Sequence, residues 1–169
     1  LTGSFENAVK EACRILGVEG EVLPVTLANT RLAAELEDGT IIRGESNIDV
    51  PKHDGNLKIR RVWLDPKAKI NERARRAIIE ADMIVIGPGD LYTSIVPNLV
   101  VEGVRDSIRK SRAKKVYVVN LMTKWGETNG FKASDFIATV EKYLGRGGLD
   151  YALINTKRPS PERMRYYEK

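Results

Sequence analysis

Apolar side chains follow two spacings along the chain, and each spacing predicts a different kind of element. A recurrence of three or four residues predicts amphipathic helices, because such positions share one helix face. Short unbroken apolar runs that are rich in β-branched residues predict strands. The predicted helices cover about residues 4–16, 74–81, 100–108, 136–144 and 161–169, and the predicted strands cover residues 21–26, 32–36, 40–44, 57–64, 83–86, 116–121 and 151–154.

The order of these elements predicts an α/β fold with one inserted region. Four of the strands follow each other without helices, and the turn sequence Asp38-Gly39 joins two of them. This pattern favours an antiparallel hairpin region over about residues 21–64. Strands and helices alternate from Asn71 onward, which predicts a mostly parallel sheet. We expect a single domain over 1–169, with the strand at 83–86 buried on both faces.

The loop after the strand at 83–86 is the first candidate site, because ligands of such sheets bind at the carboxyl ends of strands. Glycine lets a ligand approach the backbone closely, and free N–H groups at a helix start favour an anion. The loop matches neither the Walker A nor the GxGxxG motif, and a tight turn without a ligand is the alternative. The candidate residues are Gly87, Pro88, Gly89, Asp90, Leu91, Tyr92, Thr93 and Ser94.

The loop at residues 122–131 is the second candidate, since it follows the next buried strand. It combines hydroxyl, amide and glycine groups with Trp125 and Phe131, which suits a nucleotide or sugar pocket. Core packing is the alternative role for both aromatic residues. For Glu127 the alternative is a solvated or capping carboxylate. If the two strands are neighbours, both loops line one opening.

Composition narrows the function classes. The 169 residues carry a net charge of +5, but the cations are interspersed with acids and form no basic block. A solvated surface therefore explains the charge better than a nucleic-acid interface. Cys13 is the only cysteine, which excludes an internal disulfide and a cysteine metal cluster. His53 is the only histidine and lies in a polar loop, which disfavours a Ser-His-Asp triad. No apolar run is long enough to span a bilayer.

Three separated motifs resemble the gluconeogenesis-factor (YvcK-like) branch of the YvcK/CofD family. The longest is Ile-Gly-Pro-Gly-x-Leu-Tyr-Thr-Ser-x-x-Pro-Asn-Leu at 86–99. A second group consists of Asn-Leu-Met-Thr at 120–123, Gly-Glu-Thr at 126–128 and Gly-Phe-x-Ala-Ser-Asp at 130–135. The third comprises Glu-Asp-Gly-Thr at 37–40 and Gly-Glu-Ser at 44–46. The resemblance covers nearly the whole chain in the expected order.

The resemblance implies a Rossmann-like three-layer sandwich and a cytoplasmic bacterial protein. It implies UDP-sugar binding, with roles in growth on gluconeogenic carbon sources, cell shape and cell-wall synthesis. The family's glycine-rich Gly-Gly-Gly-Thr-Gly segment is absent from these 169 residues. We therefore expect the chain to be part of a longer protein, with half of the phosphate site elsewhere.

The resemblance also implies a role for each candidate residue. Backbone N–H groups of 87–94 would hold phosphate oxygens, and Tyr92 would pack on the sugar or base. Phe131 would offer its face to uracil, while Asn120 and Thr123 supply hydrogen bonds. Arg165 would reach a phosphate from the last helix, unless it is an ordinary surface arginine. The complete set of predicted ligand-binding residues adds Glu127 and Thr128, without a catalytic or metal-binding residue.

Three functions follow from these observations. The first is a regulatory protein that binds a UDP-sugar such as UDP-N-acetylglucosamine, needs no cofactor and is not a catalyst. The second is a sister-branch transferase that moves 2-phospho-L-lactate to a deazaflavin; that branch has a strand-end loop resembling Gly-Pro-Ser-Asn-Pro, unlike the one here. The third is a basic module that binds RNA or proteins. We expect no membrane or nucleic-acid partner, and the sequence leaves open a homo-oligomer.

Overall fold

The structure is a computed structural model that describes residues 3–167. Its strands are β1 (Arg31–Leu36), β2 (Ile41–Arg43), β3 (Ile59–Asp65), β4 (Met83–Ile86), β5 (Lys114–Val118) and β6 (Tyr151–Leu153). Its α-helices are α1 (Phe5–Ile15), α2 (Glu45–Asp49), α3 (Glu72–Glu80), α4 (Val96–Leu99), α5 (Val104–Lys110), α6 (Ala133–Leu144) and α7 (Pro161–Tyr167). A π-helical turn at Leu91–Ile95 precedes α4. The α/β class and most predicted elements are confirmed.

The first three strands form the predicted antiparallel region. The sheet has the order β2-β1-β3, and β1 pairs antiparallel with both neighbours. Local chemistry fixes the β1–β2 turn, because Gly39 adopts a φ of 88° and Asp38 Oδ1 accepts the Thr40 N–H at 2.8 Å. Glycine adopts such a φ without steric cost.

The second half of the chain forms the predicted parallel sheet. Its order is β4-β5-β6, with Ile86 opposite Tyr117 and Val118 opposite Leu153. Because the three strands are parallel, the loops that follow them all emerge at the same end of the sheet, at the carboxyl ends of the strands. This end is where the two predicted site loops lie.

One apolar core joins the two sheets. Leu36 of β1, Tyr117 of β5 and Val140 of α6 are all fully buried in the same cluster. Helix α6 also binds the outer edge of β3, where the Tyr143 hydroxyl accepts the Val62 N–H at 3.0 Å. The inserted antiparallel region therefore packs directly on the α/β unit.

Residues 21–26 do not form the predicted strand. Their backbone carbonyls bond to the start of α3 instead, since Asn71 donates its N–H to Val25 O at 2.8 Å and its Nδ2 to Pro24 O at 3.2 Å. Proline also lacks the N–H that a strand ladder needs. The apolar pattern of these residues predicts a strand, but it cannot show whether another strand lies beside it.

The prediction that strand β4 is buried on both faces is also wrong for the described residues. Met83 is 59% exposed and Val85 is 56% exposed, while Ile86 is buried. Tyr151 and Leu153 of β6 are each 57% exposed. Helix α1 is one residue shorter at each end than predicted, with Ser4 as its N-cap, and none of its residues is buried.

Within residues 3–167, no helix has the length and apolar character needed to cross a membrane.

Candidate functional site

The two predicted site loops lie side by side, as expected for neighbouring strands. They follow β4 and β5, which pair in parallel. Asn120 Nδ2 donates a hydrogen bond of 2.8 Å to the carbonyl oxygen of Gly89, which links the loops directly. The structure therefore brings together the two groups of residues that the sequence predicted to share one site.

The Gly-Pro-Gly loop packs tightly against β5. Gly87 has a φ of +72°, and a Cβ there would lie 3.1 Å from Val118 O and 3.2 Å from Ile95 Cδ1. The Gly87–Pro88 peptide bond is cis. The helical segment starts at Leu91, earlier than predicted, so that Thr93 and Ser94 lie inside it.

A side chain of the protein already binds the start of this helical segment. Glu127 is 3% exposed, and its carboxylate accepts the Tyr92 N–H at 2.9 Å and the Thr93 hydroxyl at 2.9 Å. Burial raises the pKa of Glu127, while these donors and Lys124 oppose that shift. Glu127 thus caps the segment where a ligand anion was predicted, and the solvated alternative for Glu127 is wrong.

Lys124 lies among three carboxylates at the same point. Its Nζ contacts Asp49, lies 2.7 Å from Asp90 Oδ2 and lies 3.3 Å from Glu127 Oε1. Burial lowers the pKa of Lys124, but the hydrogen bonds to Asp49 and Asp90 outweigh it and raise that pKa. The hydrogen bond from Lys124 lowers the pKa of Asp49. We call these four residues the Lys124 cluster.

The carboxylate oxygens of this cluster lie within 4.8 Å of one another, a spacing that could hold a metal ion. Hard cations such as Mg²⁺ prefer oxygen ligands of this type. The Lys124 ammonium already supplies positive charge between them, so the arrangement is that of an internal ion-pair network. Sequence reasoning missed Lys124 and Asp49, which are far apart in the chain and carry no shared motif.

A cavity of about 170 Å³ opens beside the second loop, lined by Asn120, Thr123 and Phe131 among others. The Phe131 ring is half-buried and meets Phe136 edge to face, with centroids 5.4 Å apart. Asn120 Oδ1 is buried and accepts no hydrogen bond within the described residues. An unpaired buried carbonyl oxygen is energetically costly.

A larger groove of about 700 Å³ continues from this cavity across the carboxyl end of β6. Leu121, Met122 and Asn155 line both spaces. The groove also contains Lys157, Arg158 and Arg163, which sequence reasoning did not select. The signal was available, because a Lys-Arg pair begins four residues after the end of the third parallel strand and the same strand-end rule applies to it.

The remaining predicted residues lie in different surroundings. Leu91 and Tyr92 are 1% and 5% exposed, and burial raises the pKa of Tyr92 to about 12, so the Tyr92 ring is a core side chain and not an open surface. Thr128 is 2% exposed, and its hydroxyl accepts the Lys124 N–H at 2.8 Å. Arg165 is exposed on α7 and does not line the basic groove.

Other candidates of the sequence fall outside the cavity. Pro88, Gly89 and Ser94 line a separate, mainly apolar groove of about 500 Å³ beside β4. Trp125 is 61% exposed, so it is not a core residue. Cys13 and His53 are both half-buried, and His53 lies in a loop as predicted.

The fold defines an α/β protein whose candidate site lies at the carboxyl ends of the parallel strands. The chain belongs to the family described as 2-phospho-L-lactate transferase CofD, which matches residues 1–169. It is 45% identical over 168 residues to the putative gluconeogenesis factor of Aquifex aeolicus, covering 99% of this chain and 51% of the relative. It is 42% identical over 170 residues to the gluconeogenesis factor of Bacillus subtilis, covering 99% and 52%.

A solved structure agrees with these relatives. The crystal structure of a UPF0052 family protein from Bacillus halodurans superposes with a TM-score of 0.91 at 42% identity, covering 99% of this chain and 53% of that one. The chain therefore spans about half the length of the relatives it matches.

Proposed function

We propose that the chain belongs to a gluconeogenesis factor, a regulatory protein of carbon metabolism that binds a nucleotide sugar. Two relatives with 42–45% identity carry that name. UDP-N-acetylglucosamine is the ligand that we test first. A cytoplasmic location and roles in cell shape and cell-wall synthesis stay predictions.

The observation that carries this proposal is the cavity beside Phe131, which is lined by Asn120, a residue whose buried Oδ1 has no hydrogen-bond partner within the described residues. Uracil has one imide N–H donor flanked by two carbonyl acceptors. The Asn120 oxygen would accept that N–H, and the Thr123 hydroxyl would donate to a neighbouring carbonyl. Phe131 would stack on the base, an interaction worth about 1–3 kcal/mol.

The Gly-Pro-Gly loop has a supporting role in this proposal. Its Gly89 carbonyl holds the Asn120 side-chain nitrogen at 2.8 Å, which leaves the other side-chain atom, Oδ1, to face a donor. The loop thus orients the amide that reads the base. The Glu127 carboxylate already binds the Tyr92 N–H, so the start of the helical segment is a poor place for a phosphate.

Calorimetric titration of Phe131→Ala tests the proposal. We expect the dissociation constant for UDP-N-acetylglucosamine to rise about tenfold, since one stacking contact is lost. Trp125→Ala is the matched control, because Trp125 lies in the same loop, is 61% exposed and does not line the cavity. Unchanged binding by Phe131→Ala would contradict the stacking role, and NAD serves as the control ligand.

The family description and the carboxylates of the Lys124 cluster favour a second candidate, transfer of 2-phospho-L-lactate to a deazaflavin. Such a transfer usually needs a metal held by carboxylates. Turnover with a deazaflavin and an activated phospho-lactate donor, abolished by Asp90→Asn, would establish this activity instead.

A further inference from the structure

We propose that the basic groove at the carboxyl end of β6 binds the diphosphate of the nucleotide sugar, through Lys157, Arg158 and Arg163. This inference rests on the proposed function, because the cavity at Asn120 supplies the position of the base. It assigns the anionic part of the ligand to β6, and not to the Gly-Pro-Gly loop after β4.

The charge of the groove is the first argument. Of the residues that the structure describes, three cations line it and no carboxylate does. Among residues 3–167, none of these three side chains forms an ion pair, whereas Arg61 is paired with Glu35 and Lys124 with Asp49. Unpaired cations that converge on one groove create a positive potential that attracts an anion.

The neighbouring polar groups are the second argument. Asn155, Thr156 and Ser160 line the same groove and offer amide and hydroxyl donors. Asn155 Oδ1 accepts the Lys157 N–H at 3.0 Å, which fixes the turn that presents the basic pair. A diphosphate needs several donors around it, and arginine provides them in a planar fork.

Continuity with the base cavity is the third argument. The cavity of about 170 Å³ and the groove of about 700 Å³ share Leu121, Met122 and Asn155. A base in the smaller space therefore directs its ribose and diphosphate into the larger one. On the other side, Asp90 and Glu127 lie next to the Gly-Pro-Gly loop and would repel a phosphate.

The test compares Arg163→Gln with Arg165→Gln by calorimetric titration of the 169-residue chain. Both arginines lie on α7 and both variants lose one charge, but only Arg163 lines the groove. The probes are UDP-N-acetylglucosamine, inorganic pyrophosphate and uridine. A thermal unfolding midpoint equal to that of the wild type shows that each variant is folded.

We expect Arg163→Gln to raise the dissociation constants of UDP-N-acetylglucosamine and pyrophosphate about tenfold, because one charge-assisted hydrogen bond is lost. Uridine binding should not change, and Arg165→Gln should leave all three probes unaffected. The double variant Lys157→Gln/Arg158→Gln should weaken the binding of the two anionic probes further.

The remaining outcomes separate the two proposals. If Arg163→Gln and Arg165→Gln weaken the anionic probes equally, or if neither does, the groove is not the diphosphate site, although UDP-sugar binding stands. If pyrophosphate binds in an Arg163-dependent way but UDP-N-acetylglucosamine does not bind, the anion site stands and the proposed function is wrong. If neither anionic probe binds the wild type, the diphosphate site in this groove is overturned, and the same titration of the longer protein that contains these residues then decides the proposed function.

Discussion

Glu127 is the residue that most clearly links the fold to the candidate site. It is a buried carboxylate that caps a helical segment from a loop on the adjacent strand. A negative charge at a helix start is favoured by the helix dipole. The sequence placed Glu127 in a site loop, but it could not show that the carboxylate points into the protein.

Glu127→Gln should lower the free energy of unfolding by about 2 kcal/mol at pH 7, because the amide cannot accept from Tyr92, Thr93 and Lys124 together. Urea unfolding measures this change. Glu162→Gln, which alters an exposed glutamate on α7, should have almost no effect. Equal stability of the two variants would show that the capping contact contributes little.

The stability difference between wild type and Glu127→Gln should depend on pH, because the pKa of Glu127 is raised in the folded protein. Between the ordinary value of 4.5 and the higher folded pKa, the native state keeps a proton that the unfolded chain has lost. Stability contributed by Glu127 therefore falls as pH rises through that window. The difference between wild type and Glu127→Gln should be larger at pH 4 than at pH 7 in urea titrations.

Lys124→Met should also destabilise the protein, since three carboxylates would remain close together without a cation. We expect a loss of about 2 kcal/mol at neutral pH, reduced from the cost of a fully buried pair because the cluster is partly exposed. The lowered pKa of Asp49 means that its contribution is present above 3.8 and is lost as pH falls through the folded value.

Lys124→Arg is the control for this prediction, because it keeps the charge. Thermal unfolding at pH 7 and pH 3 would measure both variants. A Lys124→Met deficit that persists unchanged at pH 3 would indicate a packing role for Lys124 and not an electrostatic one.

At the scale of elements, the loop at 122–131 connects the inserted region to the parallel sheet through side-chain packing and a hydrogen bond. A Cβ on Gly126 would lie 2.6 Å from Pro51 Cγ, and the Trp125 ring covers Gly55. Asn129 Nδ2 donates to Gly55 O at 2.5 Å. The loop is thus held in place by the segment that follows α2.

Gly126→Ala and Gly130→Ala form a matched pair within this loop. Both glycines have positive φ, +82° and +68°, but only Gly126 has a neighbour in the way. We expect a loss of about 3 kcal/mol for Gly126→Ala and about 1 kcal/mol for Gly130→Ala. Similar losses in chemical denaturation would mean that Pro51 moves aside easily.

The elements that the sequence predicted well are those with local determinants. Asp38-Gly39 fixed the hairpin through turn chemistry, and Gly145 ended α6 at the predicted residue. The strand at 21–26 failed because its hydrogen-bond partners are in the cap of α3, more than forty residues away. The Lys124 cluster was not predicted for the same reason, since Asp49 and Lys124 are 75 residues apart in the sequence.

The apolar surface of the parallel sheet is the main feature of the whole molecule. Met83, Val85, Tyr151 and Leu153 are each more than half exposed on its outer strands. Parallel sheets are normally covered on both faces. Exposed apolar patches of this kind promote association in water.

We therefore expect the 169-residue chain to self-associate as its concentration rises. Val85→Thr combined with Leu153→Thr should shift it toward monomer, because threonine suits a strand but lowers the apolar area. Sedimentation velocity over a concentration series would measure this. Association that is unaffected by the double variant would place the contact elsewhere.

Helix α6 closes the outer edge of β3. The Tyr143 hydroxyl takes the Val62 N–H, and Lys142 Nζ donates to Arg60 O at 2.6 Å. Another strand cannot pair there without displacing these side chains, which is a common protection against edge-to-edge aggregation. Strands β4 and β6, by contrast, each pair on one side only within the part of the chain that the structure describes. A further strand that joins these sheets would therefore pair at another edge, such as that of β4 or β6, and not at the edge of β3.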